Sequence, residues 1–337
     1  MTTVPVVDMS KLRGGSDAEL RELVAQIDKI CREIGFFQVV GHGVDEGLIQ
    51  RMYDLSRAFF DQPTEVKKSV AQPNPQTIRG YCAVGEQSFA YSDGLETPTD
   101  LHEKFDVGPV DVPDGDPYYS IANAGPHFLP NQWPESPVGM EAVWTEYFHT
   151  MNALARDIMS LFSLALGLPS DHFASMIDKD ISMLRAIHYP HTDIPPLPGQ
   201  MRAGAHTDYG SVTIVRQEVA AGGLEVFTQD GDWVPVPVVP GAFVVNIGDL
   251  MAQWTNDEWV STRHRVAPPP PNSGDTRRMS LVFFHQPNYD AVIECLPTVL
   301  GEGESPRYAP VLSGDHLLSK FEKTTAALGL GSTVGHG

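Results

Sequence analysis

The chain has 337 residues, with 23 Lys and Arg against 43 Asp and Glu, a formal net charge of −20. That acidity argues against a nucleic-acid partner, because gripping phosphates takes a surplus of cations on one face. A hydrophobic fraction of 42% beside 20% charged residues fits a folded globular chain, and the scattered Cys31, Cys82 and Cys295 suggest neither a disulfide framework nor a thiolate metal site.

The N-terminal residues lack the basic and apolar regions of a signal peptide, and no apolar run approaches the ~20 residues needed to cross a bilayer. The expectation is a soluble cytoplasmic protein without a membrane partner, monomeric by default.

In chain order, Leu20, Leu23, Val24, Ile27, Ile30, Cys31 and Ile34 recur at helical spacing. Ser16 with Glu19 forms a capping box and Gly35 supplies a left-handed stop, so the spacing predicts a helix between them. Phe36 to Val40 reads as a buried strand, and Leu48, Met52, Leu55, Phe59 and Phe60 outline a second helix. Residues 72–139 are rich in Pro, Gly, Asp and Tyr and read as long loops with short strands. A long helix follows over about residues 139–166, ended by Gly167-Leu168-Pro169.

From residue 182 to 287 the pattern changes to short runs separated by Gly, Pro, Asn and Asp: Leu184–Tyr189, Val212–Val215, Leu224–Phe227, Trp233–Val238, Phe243–Ile247 and Met279–Phe284. Many short strands at close spacing predict a sandwich or barrel. The helical and loop region 1–135 has apolar faces that must be buried against it, which favours one α+β domain over the whole chain 1–337. Residues 329–337 read as a disordered Gly-rich tail.

His-x-Asp is weak evidence in a chain with 12 histidines. It occurs as His191-Thr192-Asp193 and as His206-Thr207-Asp208, and context separates the two. Asp193 runs into a proline-rich segment that cannot be a central strand. His206 lies between strand-like runs, where residues i and i+2 share a face and can project two ligands together. A facial-triad iron(II) site needs a third ligand from another strand, leaving three positions open. His264, in Ser261–Val266, is the candidate. Arg278 and Ser280 then share a face by strand parity, and a guanidinium fork beside a hydroxyl suits a carboxylate.

These residues, with Val4-Pro5-Val6-Val7-Asp8, Ile34-Gly35-Phe36-Phe37, Arg79-Gly80-Tyr81, Gly222-Gly223-Leu224, the block from Val244 to Asp249 and Trp254-Thr255-Asn256, resemble the iron(II)- and 2-oxoglutarate-dependent dioxygenase superfamily. The resemblance is to the branch containing isopenicillin N synthase, and it spans nearly the whole chain. It implies a double-stranded β-helix, or jelly roll, flanked by helices. It implies His206, Asp208 and His264 as Fe(II) ligands, Arg278 with Ser280 as the 2-oxoglutarate clamp, and Tyr189 as a hydroxyl reaching that cosubstrate. The implied activity consumes O2, couples decarboxylation of 2-oxoglutarate to succinate and CO2, and hydroxylates, desaturates or cyclises a small organic substrate. Arg263 and His42 depart from the usual pattern away from the triad.

Each reading has a plainer counterpart. Arg278 and Ser280 fit an ordinary strand ion pair as well, and Tyr189 a half-buried strand residue. Parity puts Arg185 on the face of Tyr189, where its partner is either an acidic side chain or a substrate carboxylate. Phe284, Val215, Thr213, Phe105, Tyr209 and Tyr81 are candidate substrate walls that core packing would equally explain. Asn246 and Asp249 read as turn residues. Rival functions are an oxidase that needs no 2-oxoglutarate, an ethylene-forming type of 2-oxoglutarate fragmentation, and a non-catalytic ligand-binding barrel.

Overall fold

A computed structural model describes residues 4–73, 77–86, 98–193, 195–301 and 303–327; the expected tail at 329–337 lies outside them. In chain order the elements are β1 (Val6–Asp8), α1 (Ser10–Gly14), α2 (Asp17–Glu33), β2 (Phe36–Val40), α3 (Glu46–Phe60), α4 (Thr64–Lys68), β3 (Gly80–Cys82), β4 (Glu103–Val107), α5 (Ile121–Ala124) and α6 (Met140–Ala165). The second half holds β5 (Met183–Tyr189), β6 (Ala203–His206), β7 (Val212–Gln217), β8 (Gly223–Phe227), β9 (Trp233–Pro235), β10 (Phe243–Ile247), α7 (Asp249–Trp254), β11 (His264–Ala267), β12 (Arg278–His285), β13 (Val292–Ile293), β14 (Val311–Leu312) and α8 (Ser313–Ala327).

The start of α2 follows its sequence signals. Ser16 Oγ accepts from Glu19 N, while Glu19 reaches back to Ser16 N at 2.9 Å. Beyond its end, Gly35 has φ +63°, and a Cβ there would lie 2.0 Å from Val260 O. Only glycine allows the chain to turn so tightly against the β11 approach.

Two sheets make the jelly roll. The larger has the order β1-β2-β10-β7-β12-β5-β4-β3, the smaller β6-β11-β8-β9. All their pairings are antiparallel except β1 with β2. Four of the eight strands of the larger sheet, β1 to β4, thus come from the first half of the chain. Residues 182–287 hold the metal-bearing strands but not the whole sheet. β4 was hard to anticipate because its sequence, Glu-Lys-Phe-Asp-Val, is mostly charged although all five residues are buried. β9 stops at Pro235, short of the predicted Val238, as a strand with prolines at 235 and 237 must.

Alternation along the strands divides the molecule into two faces. Outward, Phe37, Phe105 and Phe283 meet Phe162, Trp144 and Phe148 of α6, at ring separations of 6.4, 5.2 and 5.2 Å. Inward, Phe36 packs edge-on against His264 of the smaller sheet at 5.2 Å. The helices therefore cover the outside of the larger sheet, and the space between the sheets is left for the site. In the second half, two helices have no counterpart in the sequence pattern described above: α7 follows β10 directly, and α8 closes the described chain.

Candidate metal centre

His206 is the last residue of β6, and it stands directly opposite His264, the first residue of β11. Asp208 follows two residues later, in the loop between β6 and β7. That loop is anchored from both sides: Asp249 N donates to Asp208 O at 2.7 Å, and Ser211 N to His285 O at 3.1 Å. Gly210 is required there, since a Cβ would lie 2.4 Å from His285 O.

One donor atom from each of His206, Asp208 and His264 lies within 4.8 Å of the other two, and all three residues are buried. Asp208 Oδ1 is 3.8 Å from His206 Nε2 and 3.7 Å from His264 Nε2. Both rings are oriented by backbone: His206 Nδ1 lies 2.7 Å from Gly204 O and His264 Nδ1 3.1 Å from Thr262 O. A carbonyl accepts only from N–H, so each Nδ1 carries the proton and each Nε2 turns a lone pair inward. Burial, then the neighbouring His264, holds His206 down to about 4, so it is neutral at pH 7. Burial alone would raise Asp208, but the two imidazoles, Asn246 and Thr213 outweigh it and keep it anionic. Two imidazoles and one carboxylate, with no thiolate, fit an octahedral Fe(II) that keeps three positions open.

Asn246 was read as a turn residue, and the structure corrects this. It lies within β10, 1% exposed, and its Nδ2 donates to Asp208 Oδ2 at 2.6 Å. Phe36 stands opposite it in register. An amide inside the run Val-Val-Asn-Ile was the available signal, because a buried amide needs a partner.

A cavity opens from the triad between the sheets. Ile187, Val215, Leu224, Val266, Val282 and Phe284 give it apolar walls, and Thr213 borders Asp208. Its far end is lined by Tyr189, Arg278 and Ser280. Arg278 is opposite Tyr189 in register and 2% exposed. Its Nη2 donates to Gln217 Oε1 at 3.1 Å, while its Nη1 is buried without a partner. An unsatisfied guanidinium N–H in a cavity is costly unless a ligand accepts from it, and a carboxylate fits that need.

Four of the candidate substrate residues do not line the cavity. Phe105 faces the helices, 4.9 Å from Phe59 and 5.2 Å from Trp144, because it shares the face of Ala186 rather than Ile187. Tyr81, opposite Phe105, turns the same way and donates to Glu103 Oε2 at 2.5 Å. Tyr209 packs beneath α8, 6.3 Å from Phe321, with Lys320 Nζ 5.2 Å from its ring centre. Arg185 faces inward as parity requires, but its Nε meets Asp106 Oδ1 at 2.5 Å, so an acidic side chain is its partner. Lys104 Nζ shares the same carboxylate at 3.0 Å. The competing His191-Asp193 pair is exposed on the surface.

Comparison with known proteins agrees with this geometry. Residues 181–287 match the family model of the 2OG-Fe(II) oxygenase superfamily, and residues 4–136 match that of the non-haem dioxygenase in morphine synthesis N-terminal region. A homoarginine-6-hydroxylase of Oryza sativa is 34% identical over 328 residues, covering 94% of this chain and 96% of that protein. The chain belongs to the 2OG-Fe(II) oxygenase superfamily. A validamycin A dioxygenase of Streptomyces hygroscopicus is 31% identical, covering 89% of this oxygenase and 81% of the relative. Among solved structures, a full-length Neurospora crassa protein in complex with alpha-KG and thymine has a TM-score of 0.81 at 29% identity, covering 94% and 96% of the two chains. JOX2 in complex with 2OG, Fe and JA has a TM-score of 0.74 at 28% identity, covering 95% and 85%. The oxygenase is thus an Fe(II)- and 2-oxoglutarate-dependent enzyme acting on a small molecule, with His206, Asp208 and His264 as its iron-binding triad. Relatives named as a hydroxylase and a dioxygenase, and neighbours solved with alpha-KG or 2OG, support the 2-oxoglutarate-dependent oxygenase over the oxidase that dispenses with 2-oxoglutarate, the ethylene-forming reading and the non-catalytic barrel. No described helix is long and apolar enough to cross a membrane.

Proposed function

We propose that this oxygenase hydroxylates a small, negatively charged substrate, with the distal carboxylate of 2-oxoglutarate held by Arg278, Ser280 and Tyr189. The orphaned Nη1 of Arg278, in the same cavity as the triad, is the observation that carries this reading. When bound, Fe(II) and 2-oxoglutarate supply the oxidising chemistry: O2 is consumed, one oxygen atom enters succinate as CO2 leaves, and the other enters a C–H bond of the substrate.

The chain's own part is orientation and exclusion of water. Gly204 O and Thr262 O aim the two Nε2 lone pairs, and Asn246 holds Oδ2 of Asp208 so that Oδ1 faces the histidines. Arg278 fixes how deep the cosubstrate sits. Phe284, Val215 and Thr213 border the space left for substrate and limit which of its carbons faces the metal.

The preference for an anion rests on charge. Behind Phe284, Arg185 and Lys104 share the carboxylate of Asp106, so among the described residues two cations meet there on one anion. The Arg185 guanidinium lies 5.1 Å from the Phe284 ring centre, and that ring lines the cavity. The field of a buried charge reaches a substrate there with little screening. In the same reading the protein acts as a cytoplasmic monomer.

The test is a screen of carboxylic and amino acids, with neutral compounds as controls, for substrate-triggered succinate release. Acids are expected to dominate the hits. Stimulation by neutral compounds alone would refute the charge argument.

A further inference from the structure

Beyond the clamp itself, a second buried guanidinium flanks Tyr189. Arg202, 3% exposed, lies just before β6. Its backbone N donates to Val266 O at 3.0 Å, and its carbonyl accepts from His102 Nδ1 at 2.7 Å. Its side chain reaches two loops: Nη2 donates to Thr276 O, and Nη1 to Ala221 O at 3.3 Å. Four segments therefore fix its position. Thr276 is two residues before Arg278, so Arg202 also braces the approach to the clamp.

The charges make this bracket more than a brace. The guanidinium carbons of Arg202 and Arg278 lie 5.6 and 5.1 Å from the ring centre of Tyr189. Neither guanidinium has a carboxylate partner among the described residues: Arg202 meets carbonyls, and Arg278 an amide oxygen. Two like charges buried around one phenol oppose each other unless an anion joins them. Arg202 does not line the cavity, so it acts on a ligand through the phenol and through its field. A cation near the π face makes the phenol a stronger hydrogen-bond donor.

We propose that Arg202 is a positioning residue that gives the cosubstrate site its selectivity for 2-oxo dicarboxylic acids over 2-oxo monocarboxylic acids. This rests on the assignment of Arg278, Ser280 and Tyr189 to the distal carboxylate.

The experiment uses the full chain with Fe(II), anaerobically, and measures binding by calorimetry with 2-oxoglutarate and with 2-oxopentanoate, which has the same chain length but no distal carboxylate. In Arg202→Gln the Kd for 2-oxoglutarate is expected to rise about tenfold while that for 2-oxopentanoate changes less than about twofold. In Arg202→Lys, which keeps the charge, the ratio of the two constants is expected to stay within about twofold of wild type even if both weaken. The Lys variant carries the test if the Gln variant does not fold. Parallel weakening for both acids in Arg202→Gln, no change for either, or a Lys ratio as low as that of Arg278→Ala would overturn the proposal. Arg278→Ala also separates the two levels: if it leaves the ratio at the wild-type value, the underlying clamp assignment fails.

Discussion

Replacing Asn246 by Ala tests how far the second layer around the metal sets iron affinity. The amide donates to Asp208 Oδ2 at 2.6 Å, and both residues are buried. A hydrogen bond to a charged group contributes about 1.5–3 kcal/mol. At 1.4 kcal/mol per factor of ten, about 2 kcal/mol becomes a roughly 30-fold loss of Fe(II) affinity, within the range usual for partners of metal ligands. The change leaves His206 and His264 with their own backbone acceptors. The loss should therefore appear as weaker binding at unchanged stoichiometry. Anaerobic Fe(II) titration of wild type and variant reads this directly. An affinity within about twofold of wild type would show that Asp208 needs no such partner, refuting the reasoning.

Three further outcomes follow from the same structure. Phe105→Ala should cost about 3–5 kcal/mol in chemical denaturation, because the ring fills the space between Phe59 and Trp144, while leaving the KM for substrate near wild type; a selective rise in KM would return Phe105 to the substrate wall. Asp106→Asn should destabilise by about 3–5 kcal/mol, since Arg185 and Lys104 lose the one carboxylate they share; denaturation midpoints check it, and an unchanged midpoint would contradict the buried trio. Burial holds His102 down to about 3 and His127 and His285 to about 4, against about 6.5 when unfolded. A lowered histidine adds stability above its unfolded value that is lost as pH falls, so the metal-free protein should weaken from about pH 6.5 toward 4. Equal guanidinium midpoints at pH 7.5 and 5 would refute this.

Much of the site was legible because strand parity and ligand chemistry act locally. His206, Asp208 and His264 could be chosen over His191 and Asp193 because the latter run into prolines, and the structure leaves that pair on the surface. Arg185 was correctly placed inward, but its partner was not visible, since Asp106 lies 79 residues away on a strand whose charged sequence hides its burial. Phe105, Tyr81 and Tyr209 failed for a related reason: an aromatic residue near a motif has two faces available, and which one it takes depends on register with a strand or helix far along the chain. Asn246 and Arg202 were missed because their roles run through other side chains, Asp208 and Tyr189, rather than through a ligand.

The central claim is that three side chains converge on one ferrous ion with room beside it for 2-oxoglutarate. The most direct measurement is anaerobic titration of the full chain with Fe(II) and then 2-oxoglutarate, followed by visible absorption. One Fe(II) per chain and a weak charge-transfer band that grows with 2-oxoglutarate are expected, with both lost in Asp208→Ala and His264→Ala. No band in the wild type, or a band that survives both substitutions, would contradict the account.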